Sequence, residues 1–139
     1  MLLKGKHVFI VEDNSQNRLV FQMSLMRQGA FVIFEPWGTH TTFHLKTTPR
    51  VDVIILDLML AHEVSGFDIY DEIRALPEFN NTPIVAVSAM DPSVAIPQAR
   101  KKGFSGFIAK PIDNTLFPQQ IAQIIDGEKI WSIGERRFI

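Results

Sequence analysis

Five short apolar runs pace this chain: "HVFIV" (7–11), "FVIF" (31–34), "VDVIIL" (51–56), "PIVAVS" (83–88) and "GFIA" (106–109). Longer segments with helical spacing lie between them. The first, third and fourth runs are almost continuously apolar, the pattern of strands covered on both faces. Strand alternating with helix implies an α/β fold, a parallel sheet with helices on both sides. Right-handed crossovers then leave few topologies. Such sheets bind ligands at the carboxyl ends of their strands, near the point where strand order reverses.

The spacing predicts a helix over 14–28, with a stripe of Leu19, Val20, Met23, Leu25 and Met26 that Gly29 can end. A second runs over 67–76 on Phe67, Ile69, Tyr70, Ile73 and Leu76, before Pro77. A third covers 115–125 along Leu116, Phe117, Gln120, Ile121, Ile124 and Ile125, with Pro118 tolerable only in the first turn. The segment 39–48 is rich in threonine, a poor helix former. The segment 92–102 holds Pro97, expected to delay, kink or break its helix.

A length of 139 residues, 46% of them apolar, suits one domain with a single core. The net charge of −1 with mixed signs recommends neither nucleic acid nor a membrane surface. With no cysteine, disulfides, thiol catalysis and thiolate zinc sites are excluded. The N-terminal "MLLKGKHVFIVED" is not read as a signal peptide, because Lys4 and Lys6 interrupt a short apolar run that ends in two acids. No apolar run is long enough to span a bilayer. The expectation is a soluble cytoplasmic protein.

In "VDVIILDLML" (51–60) an aspartate, Asp57, sits within an apolar run, where an ionised carboxylate is costly unless paired or metal-bound. If the sheet reading holds, Glu12 and Asp13 (end of run one), Asp57 (run three), Ser88 (run four) and Lys110 (run five) converge on one edge. Crowded carboxylates repel unless a cation joins them. The all-oxygen set favours Mg²⁺. Asp57 could then be a carboxylate nucleophile that forms an acyl phosphate. The metal and Lys110 would offset charge on the transferring phosphoryl group, and the Ser88 hydroxyl could donate to it. Singly, each residue has a plainer reading: a helix cap or loop acid for Asp57, a solvated turn for Glu12 and Asp13, a common strand end for Ser88, a loop start for Lys110.

Together they resemble the receiver domain of two-component response regulators. The resemblance rests on "VED" (11–13), "ILDLML" (55–60) followed by "SGFDIYDEIR" (65–74), "VSA" (87–89) and "FIAKPID" (107–113), and covers roughly residues 6–126. It implies a flavodoxin-like, doubly wound, five-stranded parallel sheet in order 2-1-3-4-5, flanked by five helices. By the same resemblance Asp57 is the phosphoacceptor, and Glu12 and Asp13 hold Mg²⁺, with Asp13 the more direct ligand. The Met59 backbone carbonyl is a further ligand, Ser88 turns toward the phosphoryl group and Lys110 pairs with it. Phe107 is the aromatic whose rotamer reports the switch, turning inward on activation. Phosphate comes from a histidine kinase or a histidine phosphotransfer protein. The altered surface is the fourth helix, fifth strand and fifth helix.

Three departures from the family pattern stand out. The loop "LMLAHEVSG" (58–66) reaches its glycine one residue late, and Ala61 or His62 fills the region where a proline is usual. Pro97 lies in the fourth helix. The segment 127–139, "GEKIWSIGERRFI", extends past the domain expected over 1–126 and is too short for an output domain. Its Ile130, Trp131, Ile133, Phe138 and Ile139 should pack on the domain or on a partner chain. His40 and His44, four apart, lack a third ligand for a metal. Arg100, Lys101 and Lys102 read as an exposed helix end, where cations suit the dipole.

The expected function is a stand-alone phosphorylation-dependent switch acting on a downstream protein, with a homodimer possible. It would catalyse only its own phosphorylation and dephosphorylation. The alternatives are a phosphorelay intermediate or phosphate sink, and a phosphate-independent dimerisation or scaffold module. A phosphatase or flavoprotein is disfavoured. "EDNSQN" (12–17) stands where a Gly-rich phosphate loop belongs, and no second acid lies two residues past Asp57.

Overall fold

The computed structural model describes residues 1–133. Its main sheet has six strands: β1 (His7–Val11), β2 (Phe31–Glu35), β3 (Val53–Leu56), β4 (Ile84–Ser88), β5 (Gly106–Ala109) and β6 (Ile130–Ser132). All pairings are parallel, and the spatial order is β2-β1-β3-β4-β5-β6. The expected 2-1-3-4-5 order is present, but the expected five-stranded sheet is corrected to six. Val11 pairs with Leu56, Leu56 with Ala86, and Ser88 with Ala109, so β1 and β3 end together, and β4 and β5 end together two residues further on.

Alternation along the strands divides the core. Phe9, Val11, Ile54 and Leu56 face one side. There they meet α2 (Thr41–Lys46), α3 (Gly66–Arg74) and α4 (Pro92–Lys102). Val8, Ile10, Ile55, Val85 and Val87 face the other, with α1 (Ser15–Met26) and α5 (Leu116–Ile125). Both faces of the central strands are therefore dry, as their unbroken apolar runs require.

Helix α1 starts where the Asn14 side chain accepts from the Asn17 N–H. Its buried face is not the expected stripe: Phe21, Ser24 and Leu25 are buried, whereas Leu19, Val20, Met23 and Met26 are exposed. Ser24 can lie inward because its hydroxyl donates to the Asn114 carbonyl at 3.0 Å. In α4, Asp91 caps the start and Pro92 occupies the first turn. The helix runs through Pro97 unbroken, held by the buried Ala95 and Ala99. Pro118 falls in the first turn of α5, as required.

The sixth strand depends on a missing side chain. A Cβ on Gly106 would lie 2.2 Å from the Ile130 carbonyl oxygen, so only glycine lets this backbone come alongside β5. Trp131 then stands opposite Phe107 and packs against the core, with the Arg100 guanidinium 4.8 Å from its ring centroid. Arg100 is thus stacked rather than a free helix-end cation. Lys102 reaches α3 through a 2.8 Å ion pair with Asp71. Phe138 and Ile139 lie outside the described residues.

Gly106→Ala is expected to cost about 1–3 kcal/mol in urea denaturation, the range for overpacking. The β6 segment should loosen with it, read as a red shift of Trp131 emission over the constant signal of exposed Trp37. Unchanged emission and stability would show that β6 does not need the glycine.

Candidate functional site

Each polar residue of the site follows the end of a strand, so the sheet register delivers them to one edge. Glu12 and Asp13 follow β1, Asp57 follows β3, Ser88 ends β4 and Lys110 follows β5. Glu12 is 1% and Asp57 5% exposed, and Ser88 is fully buried. One carboxylate oxygen from each of Glu12, Asp13 and Asp57 can be chosen so that all three lie within 4.8 Å of one another.

The Lys110 ammonium joins this cluster. Its Nζ is 2.7 Å from Glu12 Oε1 and 2.8 Å from Asp57 Oδ2. The other Asp57 oxygen accepts the Met59 N–H at 3.2 Å. Glu12 Oε2 accepts the Asn14 N–H, and the Glu12 carbonyl accepts from Arg18. Ser88 Oγ accepts the Met90 N–H at 3.2 Å, and its carbonyl accepts the Lys110 N–H, which ties β4 to the lysine.

The charges are unequal. Burial pushes the Glu12 carboxyl above its usual range, against the opposing pull of the Lys110 ammonium. Burial also disfavours the charged form of Lys110, but Asp57 and then Glu12 outweigh it and hold the ammonium above its ordinary value. Three carboxylates face one ammonium, so the fully ionised cluster keeps two uncompensated negative charges. Hard oxygen donors at this spacing, with net charge −2, fit a divalent cation.

Glu12, Asp13, Asp57 and Lys110 gather here, with Met59 tied to Asp57 through its N–H and Ser88 tied to Lys110 through its carbonyl. Phe107 is fully buried in the core beside Trp131, so it already points inward, where an inward turn had been expected on activation. Met59 is half exposed beside Asp57. His40 and His44 join no metal-ligating cluster among the described residues, and His44 instead packs its ring edge against Phe9. His62 is exposed.

Sequence reasoning missed the loop between Asp57 and α3. It folds as a small hairpin, Met59–Leu60 against Val64–Ser65, closed by a tight turn at Ala61–Glu63. The Ala61 N–H donates to Asp13 Oδ2 at 2.6 Å. Gly66 shuts the loop against the strand end, since a Cβ there would lie 2.1 Å from the Asp57 carbonyl oxygen. The late glycine and the missing proline were the visible signals.

Comparison with known proteins agrees with this geometry. The profile of the response regulator receiver domain matches residues 8–122. The polar-differentiation response regulator DivK of Brucella anthropi is 30% identical over 116 residues, covering 84% of this chain and 93% of that protein. The probable histidine kinase 5 of Oryza sativa subsp. japonica is 22% identical over 91% of this chain. The chain spans only 12–15% of the length of the plant histidine kinases it matches. Among solved structures, the receiver domain of a sensor histidine kinase from Pseudomonas aeruginosa PAO1 superposes with a TM-score of 0.78. It is 24% identical, covers 88% of this chain and 99% of that one, and carries a magnesium ion in its active-site cleft. The chain belongs to the response regulator receiver domain family.

The raised Glu12 pKa fixes the sign of one pH dependence. The native state holds this proton at pH values where the unfolded carboxyl, near 4.5, has lost it. The contribution is complete below 4.5 and is lost as pH rises through the raised value. In a chelator, wild-type stability should therefore fall with rising pH just above 4.5 relative to Glu12→Gln. Urea midpoints across that window measure it, and parallel curves would contradict the assignment.

Proposed function

We propose that this domain accepts a phosphoryl group on Asp57 from a phosphohistidine, on a histidine kinase or histidine phosphotransfer protein, with Mg²⁺ bound. The observation that carries the reading is the Asp57 carboxylate itself. It is buried at a strand end and held by the Lys110 ammonium and the Met59 amide, within 4.8 Å of two further acids. Glu12, Asp13, Asp57 and the Met59 carbonyl would hold the cation. Bound there, Mg²⁺ would neutralise charge on the phosphoryl oxygens.

The chain's own groups do the rest. An Asp57 oxygen attacks phosphorus, the P–N bond breaks, and the electron pair leaves with the imidazole nitrogen, which takes a proton. Lys110 offsets the charge that collects on the phosphoryl oxygens. The Ser88 hydroxyl accepts from Met90 and keeps its proton to donate to the new acyl phosphate. Water later hydrolyses the acyl phosphate, so the chemistry is self-directed rather than metabolic.

Movement of Ser88 and Lys110 toward the phosphoryl group shifts the ends of β4 and β5, biasing a pre-existing equilibrium. Phe107 is already inward, so the output would run through what packs around it: α4, Trp131 and the Arg100 stack. The β6 segment then serves its own domain's output face, with partner proteins reading that face. A cytoplasmic location is part of this reading. It agrees with there being no described helix long and apolar enough to cross a membrane.

A second reading, a relay between histidines, draws on the similarity to histidine kinases. Rapid return of the phosphoryl group to a histidine protein would favour it. A phosphate-independent scaffold would have no need of the intact acid–lysine cluster.

Incubation with Mg²⁺ and a small acyl phosphate should add about 80 Da to the intact mass, one phosphoryl group on the carboxylate nucleophile. Asp57→Asn and chelation should each abolish the gain. An adduct on the Asp57→Asn variant, or none on the wild type after an acid quench, would overturn the assignment. In a separate test, Mg²⁺ should raise the melting temperature of the unphosphorylated protein by mass action, and Asp13→Asn should remove that rise.

A further inference from the structure

The hairpin after Asp57 is held in an unfavourable shape. His62 and Glu63 at its tip both have φ of 61°, the left-handed region that non-glycine residues seldom occupy. Histidine visits this region more often than most residues, but glutamate does not, and the two stand in succession. Such a tip persists only where its surroundings over-determine it. Three contacts do so here. The Met59–Leu60 and Val64–Ser65 ladder closes the hairpin. Gly66 locks its base against the Asp57 backbone. The Ala61 N–H, at the start of the turn, donates to Asp13 Oδ2 at 2.6 Å.

The last contact bears on the site. A hydrogen bond to an ionised carboxylate is among the strong ones, and it fixes the rotation of the acceptor. Asp13 is the least buried of the three acids, and the Lys110 ammonium pairs with the other two instead. The Ala61 amide is therefore the group that orients it. Donors behind a ligand carboxylate commonly set how well it binds.

We propose that the Ala61 backbone amide is a positioning group for the cation site: it presets Asp13, so hairpin conformation and Mg²⁺ affinity are linked. This rests on the reading of Glu12, Asp13 and Asp57 as the Mg²⁺ ligands. Linkage is reciprocal, so the bound cation in turn steadies the hairpin. A proline at 61 has no N–H and cannot make this contact.

The test substitutes Ala61→Pro. Leu60, at φ −105° and ψ 166°, is already extended as a residue before proline must be, and Ala61 stands outside the two ladder pairs of the hairpin, with its N–H given to the Asp13 side chain. Ala61→Gly keeps the amide and serves as the control. Titration of the unphosphorylated ¹⁵N-labelled protein with MgCl₂ alone, followed by amide shifts, gives the affinity without any phosphoryl transfer. The expected result is binding about 10-fold weaker in Ala61→Pro, the scale of such supporting contacts, with Ala61→Gly bound as tightly as wild type. Equal affinity in wild type and Ala61→Pro would overturn the proposal. So would equal weakening in the glycine variant.

Should Ala61→Pro not fold, the wild-type Ala61 amide decides. Its proton should resonate downfield, move upfield in Asp13→Ala, and exchange more slowly with Mg²⁺ present. An Ala61 amide indifferent to Asp13→Ala overturns the proposal by itself. A wild type that binds no Mg²⁺ instead overturns the cation reading, and this inference with it, even where the Ala61–Asp13 contact is seen.

Discussion

The Lys110 ammonium stands between the carboxylates of Glu12 and Asp57, within 2.8 Å of both. Three strands end at this contact: β1 supplies Glu12, β3 supplies Asp57 and β5 supplies Lys110. Taking an ion from water into a protein interior costs several kcal/mol, and attraction offsets this only when the geometry is good. Here the parallel register provides the geometry, because it brings the strand ends to one edge. Two dry cores, one on each face of the sheet, hold the register in turn. The polar edge thus exists because the apolar body fixes where the strands stop. Its charges remain unbalanced, with three acids and one base, and that imbalance suits the site to a cation and a phosphoryl group.

Two close backbone approaches adapt this plan to the particular chain. Gly66 lets the loop after Asp57 lie against the strand end, and Gly106 lets β6 lie against β5. Neither glycine has a positive φ; each is needed for the space a side chain would fill. The first approach carries the hairpin whose Ala61 amide reaches Asp13. The second covers the outer side of β5 with Trp131, beside Phe107 and under Arg100. Site and sixth strand therefore share β5: β6 runs beside it from Gly106 to Ile108, and Lys110 follows its carboxyl end.

The four inner strands were legible because burial on both faces leaves an almost unbroken apolar signature, and the edge strand β2 through its short apolar run. The site residues were legible because each sits at the end of such a run, in a family order. Helix α1 was misread for a physical reason. Its exposed Leu19, Met23 and Met26 show helical spacing as well as any core face, while the inward Ser24 depends on the distant Asn114 carbonyl. Pro97 suggested a break, but the local rule lost to the packing of Ala95 and Ala99. Phe107, linked to the switch by resemblance, lies fully buried in the core.

Sequence alone determined the alternating α/β plan, the parallel sheet and the acidic edge with its lysine. These follow from local periodicity and from where polar residues interrupt it. Tertiary structure decided the sixth strand, the hairpin over Asp13 and the sharing of Lys110 between two acids. Each of these depends on atoms far apart in the chain: Ile130 against Gly106, Ala61 against Asp13, Lys110 against Glu12 and Asp57. A three-residue strand carries too little period to be read, and a backbone amide has no letter in the sequence. Only closure of the sheet brings such partners within hydrogen-bonding distance.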